Sequence, residues 1–577
     1  MNAAELRAAL PITGLAAEAV ARVAGLDELA KTYEGLRGAD DIAGRLLHSL
    51  SVKYVAAEAD WDHVPRTGPT VVVANHPFGI LEGAVLAVAL RRLRPDVRIL
   101  TNRMVGRIPE LAGLAISIDP MTGHDPTSNQ RGMREAMSHL AGGGLLVVFP
   151  AGAVASFQWR EFAVKDAAWS PMVARLIRLS RASAVPVFIH GANGPAFQMA
   201  GLAHPLLRTA LLGRELLNKR NAVVELNVGR PVDAAKLASF ATDAECIAYL
   251  RWRTDLLSAR RPVKQNTAHP VAPVFRKLRS DKIVAGVPVE TLAREVAALP
   301  AGSLLDQSGD LAVYLAGAGQ IPNVLEEIGR LREITFRAAG EGTGRATDRD
   351  AYDQHYEHLF LWNRAKWEIA GAYRLCRTDG SAARLYTSSL FGYGDEFLRT
   401  MGPAVELGRS FIREEYQRGF APLLLLWKGI GAYVARHPKH KVLFGAVSIS
   451  SRYQTVSREL IISFLEKWAS LSEWKPLLRP KSAPAPAKGP VWCSDVDELS
   501  AAVSDVESGT AIPVLLRQYL KLGGKLVGFN VDGQFSQALD GLIVVDLLRT
   551  EPKLLARYLG KAGCETLLRH HQQTQVQ

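Results

Sequence analysis

The segment Val71-Val72-Val73-Ala74-Asn75-His76-Pro77-Phe78-Gly79-Ile80-Leu81-Glu82-Gly83 decides the fold of the first part of the chain. Three valines and an alanine make an apolar run of strand length, which Asn75, Pro77 and Gly79 then break. An Ala/Leu/Val-rich helical pattern begins near Glu82 and runs to about Leu93. His76 therefore stands on a strand-to-helix loop, where rigid elements present reactive groups. A histidine there can take a proton from a hydroxyl near neutral pH, and a carboxylate bonded to its other ring nitrogen fixes the tautomer. Glu82, in the first helical turn, can fold back to do this. The plainer alternative is that His76 caps the helix and Glu82 complements its dipole.

Asn75-His76-Pro77-Phe78-Gly79 resembles the first motif of the glycerolipid O-acyltransferases, the lysophosphatidic acid acyltransferase family. Leu145-Leu146-Val147-Val148-Phe149-Pro150-Ala151-Gly152 resembles that family's strand ending in Phe-Pro-x-Gly, and Ala184-Val185-Pro186-Val187-Phe188-Ile189 its later Val-Pro-Val strand. The resemblance spans residues 40 to 235 or so. It implies an α/β domain in which His76 is the general base, Glu82 its orienter, and Asn75, Phe149, Pro150 and Gly152 bind substrate.

The departures narrow the acceptor. Five residues separate His76 from Glu82, where the family has four before an Asp. The family follows Phe-Pro with Glu-Gly-Thr-Arg-Ser and carries an arginine in its second motif, and these groups hold the acceptor's phosphate. Here the chain reads Ala151-Gly152-Ala153-Val154-Ala155-Ser156, and the second-motif region, from Ile108-Pro109 to Ile118-Asp119-Pro120, ends in Asp119. An arginine fork matches phosphate oxygens. An acceptor other than a simple phosphate monoester is expected.

At 577 residues, with 48% hydrophobic and 22% charged residues, the chain is expected to build two or more cores. Cys246, Cys376, Cys493 and Cys564 are scattered without CxxC spacing, which argues against a zinc site and for a reducing, cytoplasmic compartment. No apolar run reaches the roughly 18 residues of a membrane span, so the expectation is peripheral contact with the inner face of the cytoplasmic membrane. The net charge of +12 suits nucleic acid, an anionic membrane surface or an acidic carrier protein. With no nucleic-acid-binding pattern visible, nucleic acid is the weakest of the three. The expected division is a first domain over 1–250, a basic, proline-containing linker over 251–285 and a second domain over 286–577. The linker would lie on anionic headgroups or simply be solvated. The segment Pro205 to Arg220 reads as an interfacial amphipathic helix or as core-packed leucines, and residues 1–50 as amphipathic helices. Lys475 to Pro490 reads as a Pro/Ala-rich loop.

In the second half, Glu326 to Arg337 has helical spacing, and Gly340-Glu341-Gly342-Thr343-Gly344 lacks the Gly-Lys-Ser/Thr ending of a phosphate loop. Strands are expected at 358–362, 369–375, 404–412 and 442–449, with a helix at 421–435. Alternation in the third of these strands places Glu406 and Gly408 on one face, Leu407 and Arg409 on the other. His355 and His358 read as packing or surface residues. Strands and helices in this order suggest a sheet with helices packed on it.

The ordered set Phe336-Arg337, Asp350-x-x-Asp353, Tyr373-Arg374-Leu375 and Glu406-Leu407-Gly408-Arg409 resembles the N-acyltransferases of the GNAT fold, in particular ornithine lipid synthases and, more remotely, acyl-homoserine lactone synthases. The resemblance implies a GNAT-type mixed sheet with flanking helices and acyl transfer from acyl carrier protein to an amino acid's α-amino group. Glu406 is then the candidate base, while Arg337, Asp350, Asp353, Arg374 and Arg409 hold the amino acid or, alternatively, form structural ion pairs. Tyr416-Gln417-Arg418-Gly419-Phe420-Ala421 departs from the usual coenzyme A loop, which points to a carrier-protein thioester as donor substrate and to no bound cofactor.

Together the two halves resemble a bifunctional ornithine lipid synthase: N-acylation of an amino acid with a 3-hydroxyacyl chain, then O-acylation of that hydroxyl on the lyso-aminolipid. The competing readings are a lysophospholipid O-acyltransferase with an inactive accessory GNAT-like domain, and a membrane-binding or lytic protein of haemolysin type.

Overall fold

The computed structural model describes residues 25–103, 105–118, 126–203, 208, 210–260, 281–378, 384–487 and 491–576. Asp119, most of the expected linker and the first 24 residues lie outside them. The chain forms two compact units, Met1–Ala268 with Ser504–Gly509, and His269–Val503 with Thr510–Gln577.

The first unit is built on a seven-stranded sheet. Its strands are β1 (Lys53–Val55), β2 (Thr70–Ala74), β3 (Val97–Asn102), β4 (Ala115–Ile118), β5 (Leu145–Val148), β8 (Ser183–Ile189) and β9 (Val223–Val228); β6 (Ser156–Gln158) and β7 (Ala163–Lys165) form a separate hairpin. The order is β1-β9-β8-β2-β5-β3-β4, parallel except for β8 against β9. Every residue of β2 and β5 is buried, as strands covered on both faces must be. Each buried valine of β2 contributes roughly 1.5–3 kcal/mol. Helix α1 (Leu81–Arg91) lies after β2, α2 (Pro171–Ser180) before β8, and α3 (Asp243–Leu257) follows β9.

The domain boundary falls later than the sequence suggested. Helix α3 runs through residue 250 with Leu250, Thr254 and Leu257 buried, and Arg260 is buried in an ion pair with Asp60. The basic groups Arg253 and Arg260 are thus packed inside the unit rather than offered to headgroups. On the other side, Asp281 and Val284 already donate backbone hydrogen bonds to Gly344 and Ala346. Of the expected interfacial helix, Leu216 and Leu217 are buried in the core, so packing accounts for those leucines.

The second unit is an eight-stranded sheet of order β10-β11-β12-β13-β15-β16-β19-β18. Its strands are β10 (Leu304–Ser308), β11 (Leu311–Gly317), β12 (Glu357–Asn363), β13 (Glu368–Arg377), β15 (Ala404–Ile412), β16 (Val442–Ile449), β18 (Lys525–Asp532) and β19 (Ala538–Asp546). Strands β14 (Phe391–Tyr393) and β17 (Leu478–Pro480) pair separately, so part of the expected Pro/Ala-rich loop is a strand. Helices α4 (Pro322–Ala339) and α5 (Phe420–Arg436) pack on the large sheet. All its pairings are antiparallel except β15 with β16, which are parallel and matched only from Ala404↔Val442 to Glu406↔Phe444. Beyond Glu406 the two strands splay, and Gly408, Ala446 and Ser448 are partly exposed.

Candidate active sites

In the first unit, register explains why distant residues meet. Val73 pairs with Val148, so the loops leaving β2 and β5 start at the same level, at the carboxyl ends of parallel strands where such sheets bind ligands. His76 and Phe149 consequently stack with ring centroids 4.5 Å apart. His76 Nδ1 lies 2.8 Å from Glu82 Oε1, and Glu82 is wholly buried. The Glu82 carboxylate also accepts from the Phe78 amide at 2.9 Å and the Gly79 amide at 2.8 and 2.9 Å. Burial alone would raise its pKa, but the His76 charge and hydrogen bond together with the Gly79 amide outweigh that and hold it below the ordinary value. An ionised Glu82 fixes the proton on Nδ1 and leaves Nε2 with a free lone pair. The extra residue between His76 and Glu82 is absorbed by the Pro77–Ile80 turn, in which Gly79 has φ +112°.

The His76 backbone is clamped as well. Its N–H donates to Asp166 Oδ1 at 3.1 Å and its carbonyl accepts from Ala155 N–H at 2.8 Å. Asn75 brackets Ile189 at the end of β8, donating to its carbonyl at 2.9 Å and accepting from its amide at 2.7 Å. Pro150 accepts from the Ser170 amide, and Gly152, at φ +64°, closes the turn onto Phe149. Asn75, Pro150 and Gly152 thus shape the loops around His76, while Phe149 lies against its ring. Asp166, which the sequence reading missed, belongs to this frame; its pKa is raised by burial.

In the second unit, the strand registers place Arg374, Glu406, Ser448 and Asp540 on one face: Arg374 pairs with Gly408, Cys376 with Glu406, Glu406 with Phe444, and Ser448 with Asp540. Asp353 accepts from Arg332 at 2.9 Å and Arg374 at 3.1 Å, and Asp350 accepts from Arg374 at 2.7 Å. Asp350 also caps the turn containing Asp353 through the Tyr352 amide. Burial would raise the Asp353 pKa, but Arg332 and Arg374 hold it far below the usual carboxylate range. The Arg374 guanidinium lies over the rings of Tyr356 and Tyr386, at 4.9 and 5.0 Å.

Three expectations need correction. Arg337 is not part of this network: its guanidinium bonds Glu333 at 2.7 Å and the carbonyls of Asp281 and Arg345, and Glu333 also satisfies the amides of Thr343 and Gly344 in the glycine-rich loop. Arg332, on the same helix, takes the place expected of it. Arg409 does not point away from Glu406. Between Ala372↔Phe411 and Arg374↔Gly408, strand β15 carries one residue more than β13, and this bulge, with Arg409 at φ +48°, carries its guanidinium to 4.8 Å from the Tyr386 ring and 3.5 Å from Asp348. Glu406, finally, is fully engaged. Tyr356 Oη donates to Oε2, as does the Tyr386 amide at 3.0 Å, and the Thr387 amide donates to Oε1 at 2.7 Å. Burial raises its pKa. Its bonds pin the 386–389 turn over the sheet, so the carboxylate acts there as an anchor rather than an open base.

Two further carboxyls of this unit have raised pKa values. Asp540 is buried, accepts from the partly exposed Ser448 hydroxyl at 2.6 Å, and is pushed up to about 7 by burial and by the charge of Asp532. Glu341 is likewise raised to about 7 by burial and by Asp540. Sequence reading passed over Asp540 because nothing local marks a carboxylate in an apolar strand; its place opposite Ser448 is a product of register. His358 is buried against the Asp353 carbonyl and burial lowers its pKa to about 4, a packing histidine as expected. Among the described residues no His/Cys/Asp/Glu group has the arrangement of a metal site, and no helix is long and apolar enough to cross a membrane.

Family matches in both units and the chain's curated relatives show an acyl-transferring enzyme. Residues 39–260 match the Acyltransferase family and residues 331–428 the Acetyltransferase (GNAT) domain family, so the chain carries one domain of each, in that order. Among curated proteins it is 42% identical to a glycine N(alpha)-acyltransferase of Bacteroides thetaiotaomicron over 27% of this chain and 51% of the relative. It is 28% identical to an L-ornithine N(alpha)-acyltransferase of Rhizobium meliloti over 47% of this chain and 90% of the relative. The chain spans about half the length of the two glycine N(alpha)-acyltransferases it matches. A 1-acyl-sn-glycerophosphate acyltransferase of Thermotoga maritima superposes with a TM-score of 0.24 at 15% identity, covering 39% of this chain and 86% of that one.

Proposed function

We propose that this enzyme makes a di-acylated aminolipid from an α-amino acid in two transfers, N-acylation by the second unit and O-acylation by the first. The observation that carries the reading is the charged face at the splay of β15 and β16, where the Arg409 guanidinium acts on Asp540, Asp540 acts on Glu341, and Arg374 stands opposite Gly408 on the adjoining strand. Arginines in such a place hold the amino acid's carboxylate. The α-ammonium loses its proton to the Asp540–Glu341 pair, with the Ser448 hydroxyl as the exposed relay. The free amine then attacks the carbonyl of a 3-hydroxyacyl thioester, the C–N bond forms, the nitrogen gives up its second proton, and the carrier's sulfur takes up a proton and leaves as the thiol as the C–S bond breaks. Glu406 is a positioning residue for the turn over the site. The donor is a thioester of acyl carrier protein, whose acidic surface suits the chain's excess of basic residues. No bound cofactor is required.

In the second transfer His76 Nε2 takes the proton of the 3-hydroxyl, the oxygen attacks a second acyl thioester, and the leaving sulfur receives that proton from His76. Glu82 supports the imidazolium. The absence of the family's phosphate-holding arginines suits an acceptor that brings a carboxylate and an ammonium. Ornithine is the amino acid named for relatives aligned over most of their length, and glycine that of the relatives with higher identity; the head-group mass separates them. The test is mass spectrometry of total lipids from a bacterial host lacking aminolipids and able to make 3-hydroxyacyl carrier protein. The expected result is a new di-acylated amino-acid lipid, and with His76→Ala its mono-acylated precursor. Phosphatidic acid synthesis from lysophosphatidic acid without any aminolipid would overturn the reading in favour of a lysophospholipid acyltransferase.

A further inference from the structure

The β6–β7 hairpin carries at its tip Trp159-Arg160-Glu161-Phe162, and its two large aromatic rings are among the most exposed apolar groups of the first unit, Trp159 at 66% and Phe162 at 79%. They are held rather than loose: Phe157 packs edge-on against both, at 5.1 and 5.4 Å. The feet of this hairpin are the two points that clamp His76, since Ala155 immediately precedes β6 and Asp166 immediately follows β7. The Phe157 amide donates to Gln198 at 3.0 Å, which ties the hairpin to the helix Pro195–Ala203, and the next residue, Met199, is 70% exposed. Met172, 52% exposed in the first turn of α2, stands at the same end of the sheet, because α2 leads back to the start of β8.

Four exposed apolar side chains thus stand at the end of the sheet where His76 lies. Of these, Trp159 and Phe162 share one hairpin tip and are held there by Phe157, and paired exposed aromatic rings mark an interaction surface. Tryptophan and phenylalanine beside an arginine are the composition that settles at the boundary of headgroups and acyl chains. We infer that the β6–β7 hairpin docks the first unit on a lipid bilayer, with Trp159 and Phe162 entering the headgroup region and Arg160 meeting anionic phosphates. The inference rests on the proposed function in one respect, that the acceptor of His76 is a lipid. The hairpin's attachment to both sides of His76 would then set the base at the level of the membrane surface, where a lyso-aminolipid presents its hydroxyl.

The test uses the full chain and vesicles of phosphatidylcholine mixed with phosphatidylglycerol, with partitioning measured by sedimentation. The double variant W159S/F162S is expected to lose on the order of tenfold or more of the partition coefficient. Its thermal unfolding is expected to be unchanged, and so is its O-acylation of a short-chain lyso-aminolipid dispersed as monomers. Arg160→Glu is expected to weaken binding to the anionic vesicles and leave binding to pure phosphatidylcholine unaltered. Equal partitioning of W159S/F162S and the unaltered chain would overturn the inference, as would loss of cross-linking to acyl carrier protein with vesicle binding intact. His76→Ala separates the two proposals: it binds vesicles fully if the hairpin docks, whatever lipid the enzyme makes.

Discussion

Arg332 and Asp353 meet at 2.9 Å with both side chains withdrawn from solvent, and Arg374 completes the set from the neighbouring strand. Removing one member of a buried ionic group leaves its partner's charge uncompensated, at a cost of about 3–5 kcal/mol. Arg332→Met is therefore expected to lower the denaturation midpoint and abolish N-acylation. Arg337→Ala, whose guanidinium is a quarter exposed and whose partner Glu333 keeps three other hydrogen bonds, is expected to retain most of both. Urea unfolding together with an N-acylation assay distinguishes the two arginines.

Much of the first site was legible because its parts are close in sequence: a strand, a breaker, a histidine, and a carboxylate in the next helical turn. Phe149 was legible only by resemblance, since its stacking on His76 depends on the Val73–Val148 pairing. Arg332 had a signal that went unread. It shares a helical face with Ile328 and Phe336, all three buried, and a charge on an apolar stripe implies a buried partner. The side on which Arg409 lies was not legible, because strict alternation cannot reveal a bulge. The general-base expectation for Glu406 followed from its residue type and the GNAT resemblance, whereas its hydrogen bonds come from Tyr356 and from a turn some twenty residues earlier, partners that only the fold brings to it.

Glu82→Gln keeps the shape of the orienter and removes its charge. O-acylation is expected to fall on the order of 10²-fold or more, with N-acylation unaffected. The stability effect has a definite sign with pH. The Glu82 pKa is depressed in the fold, so its contribution is present above the carboxyl's unfolded value and is lost as pH falls through the folded one. The difference in unfolding free energy between the two proteins should be largest near neutrality and shrink in acid.

Asp540 and Glu341 interact, so they titrate as a pair, and both are held near 7. A base must be ionised to act, so N-acylation is expected to rise with pH through about 7. Asp540→Asn should lower the rate and remove or displace that inflection, and Ser448→Ala should lower the rate while leaving it in place. The sign for stability is the reverse of that for Glu82. A carboxyl whose folded pKa is raised loses stability for the fold as pH climbs from its unfolded value to its folded one. Asp540→Asn should therefore be relatively more stable above pH 7 than at pH 4, which denaturation at the two pH values measures.

Gly79 holds the turn that presents two oxygens of Glu82 to one amide, and it does so at φ +112°. A Cβ there would stand 2.8 Å from Leu212 Cδ2 and 3.1 Å from Val154 Cγ2. An alanine must adopt a backbone region that side chains avoid and also displace two packed residues, at a cost of about 1–3 kcal/mol for the backbone alone. Relaxing the turn would withdraw the Gly79 amide from Glu82, and the carboxylate would no longer be fixed against His76. Gly79→Ala is thus expected to reproduce the His76→Ala lipid profile, with mono-acylated aminolipid accumulating while N-acylation by the second unit continues. A di-acylated profile at the unaltered level would show that the turn tolerates a side chain and that the orientation of Glu82 does not depend on it.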